Sequence, residues 1–148
     1  MRVRNSCNVR SLAEARLRLF RSREIRDDVA YPFLLFRRPD DFLMGGCTLS
    51  NVRRGVTQSA AVGYWVGARY ARHGHMFAAL NAMLPFVFGV LGLHRLEAAC
   101  IPENEASRSL LLKIGFREEG RARRYLQING EWRDHILFAL LEHDAPVG

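Results

Sequence analysis

The chain has 148 residues, with 22 Lys and Arg against 15 Asp and Glu, and so a formal net charge of +7. This length predicts one domain with its own core, since domains cluster around roughly 100–150 residues. Hydrophobic residues make up 49% and charged residues 25% of the chain. These values are ordinary for a packed domain and argue against a collagen-like, coiled-coil or largely disordered protein.

The positive charge is concentrated at the start of the chain. Residues 1–38 carry +6 of it and residues 39–148 carry only +1, and all basic residues except Lys113 are arginines. A nucleic-acid-binding domain usually has a basic face on its folded body, so this balance argues against that class. Arginine also binds phosphate in a bidentate manner, which leaves a phosphate-bearing ligand open.

Cysteine usage and hydropathy predict a cytoplasmic protein. Cys7, Cys47 and Cys100 are far apart and form no CxxC pair, a pattern that suits reduced thiols. Residues 1–10 contain no apolar stretch of the kind found in a signal peptide. Residues 76–93 are uncharged and reach the lower length limit of a membrane span, but Pro85 and two glycines favour a buried helix followed by a turn.

The first half of the chain predicts a helix followed by three strands. Ser11 and Glu14 have the spacing of a capping box at the start of a helix over 12–29. Short apolar or alternating runs then predict strands over 32–36, 42–51 and 59–66.

The second half predicts two more helices and three more strands. Helical spacing begins at about His75, and Pro85 predicts a bend near residues 81–83. The remaining elements are a strand over 94–101, a helix over 105–114 that ends at Gly115, and strands over 119–128 and 131–141 that flank Asn129-Gly130. The order predicts an α/β fold with a mixed sheet of about six strands, in which a strand–helix–strand crossover makes one parallel pair.

The loop before the central helix is a candidate anion site. It spans residues 67–74, contains Arg69 and Arg72, and ends at Gly74. A helix N-terminus offers unpaired N–H groups and the positive end of the helix dipole. A plain connecting loop with solvated arginines would have the same composition, so the residues alone leave both readings open.

Five segments occur in one order along the chain: Gly63–Gly67, Leu93–Arg95, Pro102–Ser107, Lys113–Gly120 and Asn129–His135. Together they resemble the GNAT superfamily of acyl-CoA N-acyltransferases, and within it the RimJ/RimL branch that acetylates the N-termini of ribosomal proteins. The resemblance covers residues 32–141. It implies a GNAT fold, mostly antiparallel, whose central parallel strands splay apart to admit the pantetheine arm of CoA.

The resemblance implies a set of residues that bind CoA. These are Val66, Arg72, His73, Gly74, His75, Met76, Asn104 and Ser107. The pyrophosphate loop of the superfamily aligns with residues 71–76, where only Gly74 matches, because Ala71 replaces an Arg or Gln and Met76 replaces a small residue. Arg72 is hypothesised to supply the missing charge. Asn104 also has the position of a helix N-cap, and Ser107 that of an exposed helical serine.

The resemblance also implies direct attack of a neutral amine on the thioester. Two catalytic residues are expected, Ser107 and Tyr125, each as a donor to the leaving thiolate. The glutamate that RimL-type enzymes use aligns with Leu126, so the base is not evident. Four residues remain as candidates for it, each more readily explained as structural: Glu97, Glu103, Asp134 and His135. A proton path to bulk water is the alternative, since an α-amine has a pKa of about 8.

The expected function is transfer of acetyl from acetyl-CoA to a primary amine, most readily the α-amine of a ribosomal protein, by a monomer or homodimer. Two alternatives stay open: an acetyltransferase for a small amine, and a non-catalytic remnant that binds acyl-CoA or a partner. No metal, nucleic acid or membrane partner is expected. The GNAT domain over 1–148 is expected to lack its first strand and helix, with residues 1–10 disordered and an unpaired edge near residues 32–38.

Overall fold

The computed structural model describes residues 8–11 and 15–146. The first half contains β1 (Asn8–Ser11), β2 (Ala15–Leu19), α1 (Arg23–Arg26), β3 (Tyr31–Arg37), β4 (Leu43–Arg53), β5 (Ser59–Val66) and a 3₁₀ turn (Ala68–Tyr70). The second half contains α2 (His75–Pro85), a π-helical turn (Phe86–Val90), β6 (Arg95–Cys100), α3 (Glu105–Ile114), β7 (Arg117–Ile128) and β8 (Glu131–Leu141).

The strands form one mixed sheet in the order β1-β2-β3-β4-β5-β6-β8-β7. Neighbouring strands are antiparallel except β5 and β6, which are parallel and joined through α2. This confirms the predicted α/β fold with one parallel pair. All six predicted strands are present, and β1 and β2 bring the described sheet to eight.

The helix predicted over 12–29 is wrong. Ala15 and Leu17 are buried while Arg16 and Arg18 are not, so the segment has the period of two that a half-buried strand requires. Among residues 15–29, helical structure is confined to the four residues of α1. The apolar stripe was too thin to hold a helix against the sheet, whereas strand pairing with β3 buries the same apolar side chains.

The predicted unpaired edge near residues 32–38 is also wrong, because β3 pairs with β2 from Ala15–Arg37 to Leu19–Phe33. Strand β1 in turn pairs with β2. It begins at Asn8, within the segment predicted to be disordered; residues 1–7 and 12–14 lie outside the described residues.

The core lies between the sheet and α2. Ala79, Leu80 and Met83 recur at helical spacing and are almost fully buried. Phe33 contributes from β3, where its ring meets that of Phe86 edge to face at 5.3 Å between centroids. Burial of this kind is the main stabilising contribution, and truncation of one such ring to Ala typically costs about 3–5 kcal/mol.

Pro85 coincides with a change in helix type. Proline has no N–H to donate to the preceding turn, and the backbone after it continues as a π-helical turn in which Leu91 N–H donates to Phe86 C=O at 2.8 Å. The change therefore starts at Phe86, beyond the bend predicted near residues 81–83. Within the described ranges no helix has the length and apolar character needed to span a membrane.

Two local predictions are confirmed. Helix α3 ends at Gly115, which has a φ of +118° and accepts the left-handed conformation of a helix stop. The β7–β8 hairpin turns at Asn129 and Gly130, both with positive φ, as a two-residue hairpin turn requires.

Candidate functional site

The central parallel strands diverge and open a cavity. The β5–β6 register comprises Ser59–Arg95, Ala60–Leu96 and Ala61–Glu97 and ends there, although β5 continues to Val66 and β6 to Cys100. The implied splay of this pair is thereby confirmed. A cavity of about 830 Å³ occupies the gap and is lined by β5, the loop and first turn of α2, the end of β6, α3 and the β7–β8 hairpin.

The free edge of β5 presents backbone groups to this cavity. Gly67 N–H donates to Met44 C=O on β4 at 2.8 Å. Successive residues of an extended chain direct their N–H groups to opposite sides, so the Val66 N–H points away from β4 and into the gap. A hydrogen-bond acceptor placed between β5 and β6 would find this donor.

The start of α2 supplies a second group of donors. Its N-cap is Gly74, with a φ of +79° and no side-chain cap. The first intrahelical bond runs from Ala78 N–H to Gly74 C=O at 3.0 Å, so the N–H groups of residues 75–77 have no helical acceptor. These donors and the helix dipole favour an anion.

Basic side chains surround that helix terminus. Arg72 and His75 line the cavity, as does Lys113 of α3, whose Nζ lies 4.4 Å from the Phe77 ring centroid. Lys113 was not predicted as a site residue, because its position depends on how α3 packs against α2. His73 is not among the lining residues; its ring lies 6.0 Å from that of His75.

The start of α3 faces the same cavity. Asn104 and Ser107 both line it, and Asn104 Oδ1 accepts a hydrogen bond from the Ser107 N–H at 3.1 Å. Asn104 is therefore the N-cap of α3 and a cavity residue at once. Of the eight residues predicted to bind CoA, all but His73 line the cavity.

Tyr64 is a cavity residue that the sequence did not single out. Its hydroxyl is hydrogen-bonded to the Ser107 hydroxyl. Burial raises the pKa of Tyr64, and the hydrogen bond to Ser107 opposes this in part, so the phenol is protonated at neutral pH. Alternation along β5 places Tyr64 on the face that carries the helices, which is the only sequence signal that could have indicated it.

Tyr125, the second predicted catalytic residue, takes no part in the hydrogen bond between Tyr64 and Ser107. Tyr125 on β7 is 47% exposed and is not among the lining residues. Its ring centroid is 5.8 Å from that of His135 on β8, and His135 does line the cavity and is buried. The structure therefore brings Ser107 together with Tyr64 rather than with Tyr125.

The four candidate bases differ in position. Glu97 pairs with Arg95 at 2.8 Å and Glu103 with Arg133 at 3.2 Å. Asp134 accepts from the Arg124 N–H and the Arg121 guanidinium, and these bonds lower the pKa of its carboxyl. Only His135 of the four lines the cavity, and no Asp or Glu of the described residues does.

The cavity also contains a thiol but no candidate metal site. Cys100 lies at the end of β6 on the cavity wall, and burial raises its pKa. Cys47 is buried beneath α2, with its sulfur 3.8 Å from that of Met83. Across residues 15–146 no group of three or more His, Cys, Asp or Glu side chains is placed to hold a metal ion.

Comparison with known proteins places this arrangement among acetyltransferases. A family model described as an acetyltransferase (GNAT) domain matches residues 1–117. The chain is 38% identical to the probable N-acetyltransferase YjcK of Bacillus subtilis over 81% of its own length and 66% of that protein. It is also 38% identical to the [ribosomal protein uS5]-alanine N-acetyltransferase of Escherichia coli, over 80% of this chain and 61% of that one.

Two solved structures are similar across most of the chain. Ribosomal-protein-S5-alanine acetyltransferase from Vibrio fischeri superposes with a TM-score of 0.84 at 26% identity, covering 93% of this chain and 98% of that one. RimJ of Mycobacterium smegmatis in complex with CoA-disulfide has a TM-score of 0.79 at 40% identity, covering 84% and 59%. The chain thus matches just under two thirds of the length of the first curated relatives.

Proposed function

Because this chain belongs to the GNAT acetyltransferase family, we propose that it transfers the acetyl group of acetyl-CoA to the N-terminal α-amine of a protein. The observation that carries the proposal is the gap between β5 and β6, which leads to the uncapped N-terminus of α2. An elongated thioester with a pyrophosphate at one end matches both features. The names of the relatives suggest that the acceptor is a ribosomal protein.

The residues present fit acetyl-CoA. Its pyrophosphate would accept hydrogen bonds from the free N–H groups of residues 75–77, with Arg72 and Lys113 as counter-charges. The pantetheine amides would pair with the free edge of β5 in the manner of an added strand. Asn104 would bind the same arm from the start of α3.

The chemistry is direct acyl transfer within a ternary complex. The amine nitrogen attacks the thioester carbonyl, and the Val66 N–H stabilises the oxyanion that forms; one such donor is typically worth about 3 kcal/mol. The C–S bond then breaks. The hydroxyl of Ser107, itself bonded to Tyr64, donates to the departing thiolate and a proton reaches it through this pair.

The charge of the cavity favours a monoamine acceptor. Among the described residues its wall contains Arg72, His75 and Lys113 but no carboxylate. A polyamine acceptor with several positive charges would find no carboxylate there to pair with its additional amines. The N-terminus of a peptide places a single amine in the cavity, and this amine is partly neutral near pH 8.

The compartment follows from the same proposal. A ribosomal acceptor places the enzyme in the cytoplasm, and the unpaired thiols of Cys47 and Cys100 agree with a reducing environment.

The test is thiol release from acetyl-CoA by the purified chain. Peptides with Ala or Ser at the N-terminus are compared with the same peptides carrying a blocked N-terminus, with a polyamine and with an aminoglycoside. Release that requires the free peptide amine supports the proposal. Release with only the small amines would indicate a small-molecule acetyltransferase. Calorimetric binding of acetyl-CoA without any turnover would indicate a binding protein, and absence of binding would contradict the acetyltransferase assignment.

A further inference from the structure

The proposed transfer leaves one proton without an acceptor. The attacking amine must lose a proton as the amide forms, and no Asp or Glu side chain lines the cavity within residues 15–146. Two histidines do, His75 and His135. His75 is the first residue of α2, where an anion is expected, so it is suited to phosphate rather than to the amine.

We propose that His135 is the catalytic base that takes this proton through Nε2, a role that rests on the proposed acetyl transfer. His135 is only 4% exposed. Its Nδ1 lies 2.9 Å from the Arg133 carbonyl oxygen. A carbonyl can only accept, so Nδ1 carries the hydrogen and the lone pair of the neutral ring is on Nε2.

The position of the ring agrees with this role. The β6–β8 register ends at Cys100–Ile136, so His135 lies on β8 one position beyond the last residue of β6, beside the end of β6 that lines the cavity. Ile136 belongs to the core on the helical side of the sheet, and alternation places His135 on the opposite face. In the described part of the chain no hydrogen bond is made by Nε2, and the ring forms part of the cavity wall.

Neighbouring charged groups are already paired with one another. The Arg133 guanidinium binds Glu103, and the Asp134 carboxylate binds Arg121 and the Arg124 N–H. The aromatic ring of Tyr125 also lies beside that of His135, at 5.8 Å between centroids. No carboxylate therefore competes with Nε2 for the proton of the substrate amine.

The proposed transfer removes one proton from the amine and delivers one proton to the thiolate. The amine nitrogen forms a bond to the thioester carbon, and its proton moves to Nε2 to give an imidazolium. The C–S bond breaks, the electron pair leaves with sulfur, and the thiolate is protonated through Ser107. The imidazolium then returns its proton to water, the Tyr64–Ser107 pair regains a proton from water, and the products are the acetylated amine and free CoA.

His135→Asn is the matched variant, because an asparagine amide nitrogen can replace Nδ1 as the donor to the Arg133 carbonyl but cannot accept a proton. Steady-state rates with the Ala-starting peptide are measured from pH 6 to 9, with calorimetry for acetyl-CoA and thermal unfolding for the fold. We expect kcat/KM to fall about 100-fold at neutral pH, with acetyl-CoA affinity unchanged. The loss should shrink as pH rises, because hydroxide can then take the proton that Nε2 takes in the wild type.

His135→Gln is the second variant if the asparagine protein does not fold, and His94→Asn, which lies outside the cavity, controls for loss of a histidine. Wild-type kcat/KM in either folded variant would overturn the role of His135, as would an equal loss at every pH. If the wild type itself transfers acetyl to none of the amines, the proposed function fails, and the proposal for His135 fails with it. If the wild type transfers acetyl and the variant is equally active, only the role of His135 as the base is rejected, and the proposed function stands.

Discussion

The hydroxyls of Tyr64 on β5 and Ser107 on α3 are hydrogen-bonded to each other on the cavity wall. The contact joins two elements that are separated by the whole of α2 and β6. It fixes the Ser107 hydroxyl, which on an exposed helix would rotate freely. A donor held in this way loses little conformational freedom when a thiolate forms beside it.

If this pair protonates the leaving thiolate, Ser107→Ala and Tyr64→Phe should each lower kcat about tenfold or more while the KM for acetyl-CoA changes little. The double variant should be little worse than either single one, since two members of one relay fail together. Steady-state kinetics with the Ala-starting peptide provide the measurement. A loss of kcat in Tyr125→Phe, with none in Tyr64→Phe, would instead assign the donor to Tyr125.

Gly74 should be needed for CoA binding as well as for folding. Gly74 and Gly92 both have positive φ and open space where a Cβ would stand, so alanine at either position should cost about 1 kcal/mol of unfolding free energy. Only Gly74 caps the helix that offers donors to the pyrophosphate. Calorimetry should therefore show weaker acetyl-CoA binding in Gly74→Ala and wild-type binding in Gly92→Ala. Equal affinities in the two variants would contradict the anion site.

Arg72 should contribute charge to the same site. Arg72→Ala is expected to raise the KM for acetyl-CoA about tenfold, the value of one charge-assisted hydrogen bond to phosphate. Arg69→Ala is the matched control, because Arg69 stacks over the Tyr70 ring at 5.4 Å and is not among the cavity residues. The difference between the two variants should diminish at high salt. An unchanged KM in Arg72→Ala would show that backbone donors suffice.

Elements with local signals were predicted accurately from the sequence. Gly115 ends α3 because a left-handed C-cap favours glycine, and Asn129-Gly130 turns the hairpin because both residues tolerate positive φ. The loop before α2 was also predicted, since Gly74 and its basic neighbours are consecutive in the chain. In each case the determining physics acts within a few residues.

Features that depend on distant segments were missed or misassigned. Residues 15–19 alternate apolar side chains with arginine, as a strand does, but the edge of β3 that pairs with them comes from a segment further along the chain. The Tyr64–Ser107 contact and the burial of His135 depend on how β5, β8 and α3 assemble around the gap. Sequence reasoning could name Ser107 and His135 as candidates, but only packing distinguishes His135 from Glu97, which is engaged by Arg95.

Trp65 should affect the acceptor rather than acetyl-CoA. It lines the cavity, is 52% exposed, and alternates with Tyr64, so it lies on the face away from the helices. Its indole covers Gly46, where a Cβ would stand 3.0 Å from Nε1. Trp65→Ala should raise the KM for the peptide about tenfold through lost contact area, with acetyl-CoA affinity unchanged. Trp65→Phe should recover part of the loss. A change in acetyl-CoA affinity alone would mean that Trp65 contacts acetyl-CoA and not the acceptor.

Asp28 should make stability depend on pH at the far end of the sheet. Its carboxylate accepts from Arg54 at 2.7 and 3.0 Å and from the Tyr31 hydroxyl at 2.6 Å, while Arg54 also donates to Leu91 C=O. The hydrogen bond from Arg54 lowers the pKa of Asp28. Because the folded state has the lower pKa, this stabilisation is present above the ordinary aspartate pKa of about 4 and is lost as pH falls through the lower folded value.

Asp28→Asn keeps the shape and tolerates the positive φ of this position. Urea unfolding should show it less stable than the wild type by about 1 kcal/mol at pH 7, since the pair is partly exposed and screened. At low pH the difference should shrink as pH falls below about 4, and it should disappear below the lowered folded pKa of Asp28, where the wild-type carboxyl is also neutral. Asp40→Asn, at the exposed partner of Arg37, should show a much weaker effect. If the stability difference between Asp28→Asn and the wild type were the same at neutral and at low pH, the charge on Asp28 would not be what stabilises its contacts with Arg54 and Tyr31.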